Sequence, residues 1–590
     1  MQVLRYWLVA ILLLNAQNLV ADIGTCGQPS ADFRTLAQIK RSLQTGRSEG
    51  LITEGIVVQT SFKKDHLQPY GGFWLGDGDD GLFVYSDRYQ VKVGDKVRIA
   101  AKSKVYKSLP EISHVSALIQ CEDKQIVPAP IELSLPVNKE KLLYLVGRQV
   151  HIRSALVRDF PGLNGQDFIK YGQLVIGSQL YHQGTEKYRY PQQQSLIEQL
   201  HKDALQDRLL LDDGSPATNL NMIRHPITAG YTNTSRIKIG DQLTDISGVV
   251  HRYNNTVFIV PTNYYWQPVT NDLPAQHSST QLRVVSLNLE NFFNGSFSGG
   301  SFSDVSSLKS SEGRFNSSRG ARNKAEFELQ QNKLINLLVQ MNADIISLNE
   351  VENDGNDKHS AIHQLTTELT AVSGNGYAFI RTGSKLGSDE ITNAQIYRAD
   401  RVKAVGQPSV LDFGYQHRPL LLQQYSFGEK PVLLATVHLR SKAGRCPEDR
   451  AEHKYFGGCN SARSQAAEKI VQFLARLADI EHIPLILAGD FNSYSKEPPL
   501  QVFKKSGYQR LKNLQAEPYS EFSGYRYRGR FGHLDHVLIN KAAAAKVSAF
   551  YSWPVNSVHS RLAGYKYGGK GGIRSSDHDP LILTLNFFDE

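Results

Sequence analysis

At 590 residues the chain is too long for one hydrophobic core, so two to four domains are expected. Its 41% hydrophobic and 21% charged residues exclude a collagen-like repeat or a disordered chain. The net charge of +9 suits a polyanionic partner, since basic side chains gain affinity by releasing phosphate counterions, although many basic exported proteins bind no polyanion.

The first element is Tyr6–Leu14, an apolar run behind Arg5. It falls short of the roughly 20 apolar residues a membrane span needs. A secretory signal peptide over 1–21 is predicted, cleaved after Ala21, giving a secreted protein or, alternatively, a periplasmic one. Export makes the four cysteines readable. The simplest pairing is Cys26 with Cys121 and Cys446 with Cys459, each within one domain. No Cys/His spacing suggests zinc.

Residues 22–125 read as a small β domain. Ile52–Val58 alternates into a strand, and Gly72–Leu75 and Leu82–Tyr85 flank the acidic turn Asp77–Gly81, read as a hairpin in preference to a calcium loop. An internal echo follows. Val91–Val97 (VKVGDKV) leads to Tyr106 as Ile237–Leu243 (IKIGDQL) leads to Tyr253, which predicts a second, related barrel over 126–268. A polar insertion around Tyr181–Asp207 interrupts the second copy. Small OB-like barrels bind single strands or sugars, or serve as spacers.

A polar linker is expected over 269–280, and strand–helix alternation begins beyond it. Leu282–Leu287, Ile345–Leu348, Val432–Leu439 and Leu485–Ala488 read as buried strands. Ala321–Met341 and Ser464–Ala478 read as helices, the first with Phe327, Leu334, Leu337, Leu338 and Met341 on one stripe. Gly- and Ser-rich Asn294–Ser318 reads as a mobile insertion. The predicted class is α/β over 281–590.

These four apolar strands end in polar residues that a core would not select: Asn288, Asn349-Glu350, His438, and Asp490 with Asn492; Asp535-His536 follows Gly-His-Leu, and Asp577-His578 comes just before the last strand. Strand ends converge in a layered sheet, so these groups can share one cleft. Hard oxygen donors such as Glu350, Asp577 and the Asn288 amide suit Mg²⁺ or Mn²⁺, with Ca²⁺ as an alternative. A metal there polarises a phosphoryl oxygen while histidines move protons.

The motifs LNLENFF, ADIISLNEVEND, IYR, TVHLRSK, GDFNSYSKE, GHLDH and SSDHDP resemble the endonuclease/exonuclease/phosphatase superfamily, which includes pancreatic deoxyribonuclease. RGARNKAEFELQQNKLINLL and the Cys446–Cys459 loop leading to Asn460 and Arg463 are similar to its ExeM/NucH-like secreted bacterial endonucleases. The resemblance implies a two-sheet sandwich flanked by helices, with two OB-like β-barrel modules in front of it. It implies that Glu350 binds metal with Asn288 and Asp577 near it, and that His578, oriented by Asp535, activates water. His438 would protonate or stabilise the leaving oxygen, Asp490 and Asn492 would hold water and phosphate, and Tyr397 and Arg418 would contact phosphate. Lys442 and Arg528 are further substrate-binding candidates, Arg528 within the aromatic–basic run Tyr525–Arg530. Two departures from the family pattern concern His438. Ala399 stands where a supporting carboxylate is expected, with Asp400 as a substitute, and Val437 stands where branch members commonly carry Asn.

The function implied is a secreted, metal-dependent endonuclease acting on DNA, and on RNA as an alternative, with little sequence specificity. The basic cleft would grip the backbone rather than read base edges. A monomer without stable membrane insertion is expected. Two other readings stand beside it. The same machinery could act on a lipid or inositol phosphate, or the chain could be a non-catalytic binder of DNA or polysaccharide.

Overall fold

The computed structural model describes residues 23–588 except 49, 63–68, 122–124, 163–165, 216–217, 219–222, 224, 226–230, 270–274, 295–318, 415–416, 447–452 and 513–520. The signal peptide and most of the Gly/Ser insertion lie outside the described residues. Among those described, no helix is long and apolar enough to cross a membrane.

The front of the chain forms a closed barrel from β1 (Gly50–Phe62), β2 (Pro69–Gly76), β3 (Gly81–Val84), β4 (Lys96–Tyr106) and β5 (Leu109–Gln120), in the order β1-β2-β3-β5-β4. The acidic turn is a hairpin, with Gly76 opposite Gly81 and Asp77 Oδ1 accepting from the amides of Asp79 and Asp80. Cys26 and Cys121 are bonded and clip the barrel's two ends together.

The second module holds β6 (Ile131–Glu132), β7 (Gln149–Asp159), β8 (Leu174–Gly177), β9 (Leu209–Leu211), β10 (Gln242–Tyr253) and β11 (Thr256–Gln267). Its strands run β10-β11-β9-β8-β7-β6, and β10 also pairs with β7, so β7-β8-β9-β11-β10 repeats the order of the first barrel. The sequence echo is a repeated structure. Val57 exchanges backbone bonds of 2.8–2.9 Å with Gly94 and Asp95, and Val157 does the same with Gly240 and Asp241. In each turn the aspartate side chain accepts from a lysine amide three residues back, Lys92 in one and Lys238 in the other.

The remainder is a sandwich of two six-stranded sheets. One contains β12 (Gln281–Phe292), β13 (Ile345–Glu352), β14 (Tyr377–Phe379), β15 (Ile391–Arg398), β24 (Val547–Ser552) and β25 (Leu581–Asn586), in the order β14-β15-β13-β12-β25-β24. The other contains β16 (Val402–Leu411), β17 (Leu420–Phe427), β18 (Lys430–His438), β19 (Leu485–Asp490), β20 (Gln509–Arg510) and β23 (Asp535–Ile539), in the order β16-β17-β18-β19-β23-β20. The hairpin β21 (Tyr525–Tyr527) and β22 (Arg530–Gly532) projects between them in sequence. The central strands β12, β13, β18 and β19 are buried nearly throughout, which is why they read as continuous apolar runs.

Helix Lys324–Met341 covers the first sheet, and all five residues of its predicted stripe are buried. Helix Asn460–Leu474 covers the second. The expected linker is partly structural. His277 Nε2 lies 2.9 Å from Asp344 Oδ2, tying residues beyond 274 to the sandwich.

Candidate active site

The site forms where the C-terminal ends of β12, β13, β18 and β19 meet. Polar contacts join the sheets there: Ser347 and Thr436 hydroxyls are 2.8 Å apart, and Asn349 Nδ2 donates to the Val437 carbonyl at 3.0 Å. Asn349 Oδ1 accepts from the Asp490 amide at 3.0 Å. Gly489 lets this happen. Its φ is +140°, and a Cβ there would meet the Val437 carbonyl at 2.1 Å, so any side chain would push β19 away from its neighbour β18.

Local irregularity then aims the side chains. The ladder between β12 and β13 breaks after Asn288, and that between β13 and β15 breaks after Leu348. Glu290, Asn291 and Glu350 have φ of 53°, 60° and 61°. Such left-handed backbone is rare outside glycine and concentrates at functional sites. Paired bulges at one level turn strand-end residues out of the sheet.

The resulting constellation is continuous. Asn288 Nδ2 donates to Glu350 Oε1 at 3.1 Å. Asp490 stands between His438 on β18 and Asp535 on β23, its cross-strand partners. His578 Nδ1 is 2.5 Å from Asp535 Oδ2, and its Nε2 is 4.0 Å from Asp577 Oδ1. The Tyr525 ring lies against His578, 4.7 Å between centroids. Asn492 holds Asp490 through its amide and its Nδ2, at 2.7 and 3.0 Å.

Charge is unevenly satisfied. Burial, and then Asp577, raises Glu350 above the usual carboxylate range. Burial and the neighbouring Asp535 push Asp490 up to about 7. Burial would lower His578, but Asp535 and Asp577 overcome it and hold the imidazolium well above its ordinary range. Burial and Arg418 hold His438 well below, so it is neutral at pH 7.

This bears on metal binding. Among the described residues Glu350 has no ion pair and Asp577 has only the 4.0 Å His578 contact, which suits a hard cation. Among the described residues no group of three or more His, Cys, Asp or Glu side chains could by itself hold an ion. The donors present fit a cation that completes its shell with water and phosphate oxygens, as Mg²⁺ does. Asn288 sits beside Glu350, but its Oδ1 accepts from the Glu290 amide at 3.0 Å. Its Nδ2 orients Glu350, and the second lone pair of Oδ1 leaves it available to a cation beside Glu350.

Three expectations need correction. Tyr397 pairs with Ile345 at the far end of β13, roughly 16 Å from Glu350 by strand rise, and packs on Tyr425. Asn393, linked to Asn349 at 2.7 Å, occupies the near end. Asp400 pairs with Arg398 at 2.7 Å and gives His438 no support. Lys442 is committed to buried Glu497 at 2.6 Å, beneath Thr185 of the second module, and is not a free substrate contact.

Arg418 lies 3.1 Å from Asp389, and its charge reaches Glu350 and His438. Arg528 projects from the β21–β22 turn beside Tyr527. Cys446 and Cys459 are bonded. Sequence reasoning missed Lys333, a buried ammonium lowered to about 8 by burial. It donates to the carbonyls of Ala563, Gly571 and Ile573 and fixes the loop leading to Asp577. Arg574, just before Asp577 in the chain, lies 2.9 Å from Glu290. A lysine on the inward stripe of a helix was the available signal for Lys333.

The second module reaches this site. Gln183 N donates to the Phe531 carbonyl at 2.7 Å, and Phe531 N donates to that of Tyr181 at 2.9 Å. Phe531, Val558 and Leu562 are buried in the second module's own core. Arg526 pairs with Asp159, which also holds Arg208 at 3.3 Å.

Residues 313–578 match the model of the Endonuclease/Exonuclease/phosphatase family, a stretch that contains Glu350, His438, Asp490, Asp535 and His578. Members of that family are generally hydrolases of phosphodiesters or phosphate esters. Similar solved structures include humanized D. rerio TDP2, at 15% identity over 52% of this chain and 99% of that one, TM-score 0.33. The human Nocturnin catalytic domain aligns at 15% identity over 52% and 94%, TM-score 0.33. A mannosyl-6-phosphatase from Bacteroides thetaiotaomicron aligns at 17% identity over 52% and 99%, TM-score 0.32. No curated protein matches the sequence.

Proposed function

We propose that the chain is an exported, metal-dependent phosphodiesterase that cleaves DNA. The observation that carries this reading is His578, tied at Nδ1 to Asp535, with Nε2 toward Asp577 and its charge reaching Glu350. An imidazole oriented by a carboxylate, beside two carboxylates without a cation, is what activation of water at a phosphate requires. Glu350 and Asp577 would hold the cation, whose charge would offset the phosphate oxygens and relieve the carboxylate field that keeps His578 protonated. His578 then takes a proton from water. Asp490 and Asn492 orient that water, whose oxygen attacks phosphorus as the P–O bond to the leaving oxygen breaks; an N–H of His438 stabilises that oxygen, which takes its proton from solvent. Export is supported by the two disulfides, which persist in oxidising compartments. DNA as substrate is supported by the net positive charge and by the arginines flanking Asp577. We read both front barrels as OB-like from their shared strand order.

The test is a plasmid-nicking assay with Mg²⁺, Mn²⁺ or Ca²⁺ against EDTA. Cleavage should require the cation. Cleavage undiminished in EDTA, or turnover confined to phosphomonoesters, would remove this reading.

A further inference from the structure

A cleft of about 330 Å³ continues from Asp577 away from the catalytic histidine, bounded by the second module on one side and the sandwich on the other. Asp159 and Gly162 form the module's wall. Four arginines face the space: Arg526, Arg528, Arg561 and Arg574. Two are already neutralised, Arg526 by Asp159 and Arg574 by Glu290. Arg528 and Arg561 have no ion pair among the described residues, though Arg561 is near enough for its charge to reach Glu290. Tyr525 on the floor also packs on His578, so cleft and catalytic centre are one continuous surface. His559 lines the cleft at 5% exposure and leaves its Nδ1 without a hydrogen-bond partner among the described residues. Exposed Tyr527 stands beside Arg528 at the rim.

Two unspent guanidinium charges, an unpaired buried imidazole nitrogen and an exposed aromatic ring, with Arg528 over it, together suit an anion attached to a planar group. Arginine binds phosphate through paired N–H groups, and bases stack on aromatic rings without regard to sequence. We propose that this cleft is a second phosphate subsite, in which Arg528 and Arg561 take the phosphate next to the scissile one on a nucleic-acid strand. The inference rests on the phosphodiesterase reading above and narrows it. The preferred substrate is a chain of phosphodiesters, not an isolated ester, and the second module is part of the substrate-binding surface.

The test uses the full chain and two readouts. In EDTA, binding of a short 5′-fluorescein oligothymidylate is followed by anisotropy across a salt series. Arg528→Ala/Arg561→Ala should raise Kd about tenfold and flatten the slope of log Kd against log salt by about 0.7 per arginine lost. Arg476→Ala, an exposed charge at the end of helix Asn460–Leu474, should do neither. With metal, the double variant should lose about tenfold in its preference for the oligonucleotide over bis(4-nitrophenyl) phosphate. Unchanged Kd and slope in the double variant, or an equal loss in Arg476→Ala, overturns the subsite. Wild-type failure on both substrates despite intact binding would instead count against the phosphodiesterase reading alone.

Discussion

The two front barrels share a strand order and a Gly-Asp turn, yet they stand in different relations to the chemistry. The first keeps most of its core to itself, lends only Leu109 to the second module's core, and also meets that module through a small cluster of Val58, Trp74, Val249, Phe258 and Val260. The second takes Phe531, Val558 and Leu562 of the catalytic half into its own core and pairs Asp159 with Arg526. A repeated fold therefore does not carry a repeated role. What a module buries, and from which partner, decides whether it is a neighbour of the site or a piece of it.

The strongest way to break that contrast is deletion. Removing 126–268 should abolish both folding and cleavage, because three apolar side chains of the catalytic half lose their burial. Removing 23–121 should leave nicking activity within a few-fold of the full chain. Thermal unfolding and the plasmid assay read both, and a stable, active 275–590 fragment would refute the contrast.

Next in size are the catalytic substitutions. His578→Ala and Glu350→Ala should each lower turnover by at least about 10²-fold with little change in unfolding temperature. Near-normal cleavage by either would show that the site lies elsewhere.

A matched pair of charge removals compares the modules directly. Asp159→Asn strips a carboxylate from mostly buried Arg526 and should cost about 3 kcal/mol, together with some activity, through the hairpin that carries Tyr525. Glu54→Gln removes the 2.5 Å partner of buried Arg98 in the first barrel and should lower stability there while cleavage persists. Equal loss of activity in both would erase the distinction. Chemical denaturation and initial rates measure the two effects.

The smallest effect sharpens the site itself. Asp490 is raised from 3.8 to about 7, so the folded state binds its proton more tightly than the unfolded chain does. Its favourable contribution is present below about pH 4 and is lost as pH rises through about 7. Asp490→Asn should therefore raise the unfolding temperature of the metal-free protein at pH 8 by a few degrees and change it little at pH 4. A shift of equal size at both pH values would contradict this environment.

The catalytic half was largely legible because its signals are local. Apolar runs ending in Asn288, Glu350, His438 and Asp490 mark both the strands and the site. The disulfide pairs and the twin barrels were legible too, the latter through the Gly94-Asp95 and Gly240-Asp241 turns. Tyr397 was misplaced because a strand motif does not say which of its ends faces the cleft; only the pairing with Ile345 settles that. Lys442 was misread because its partner Glu497 lies 55 residues on and is capped from another module. The polar insertion around Tyr181–Asp207 gave no hint that it would grip Phe531, since contacts between residues more than 300 apart leave no trace in a window of sequence.

The hairpin Tyr525–Gly532 has one arm against the catalytic imidazole and the other lodged in a foreign core. Its amides should exchange with solvent on the schedule of the second module and not on that of the sandwich they belong to in sequence. Whatever tugs at that module from outside would be felt, through two short strands, at the place where water meets phosphate.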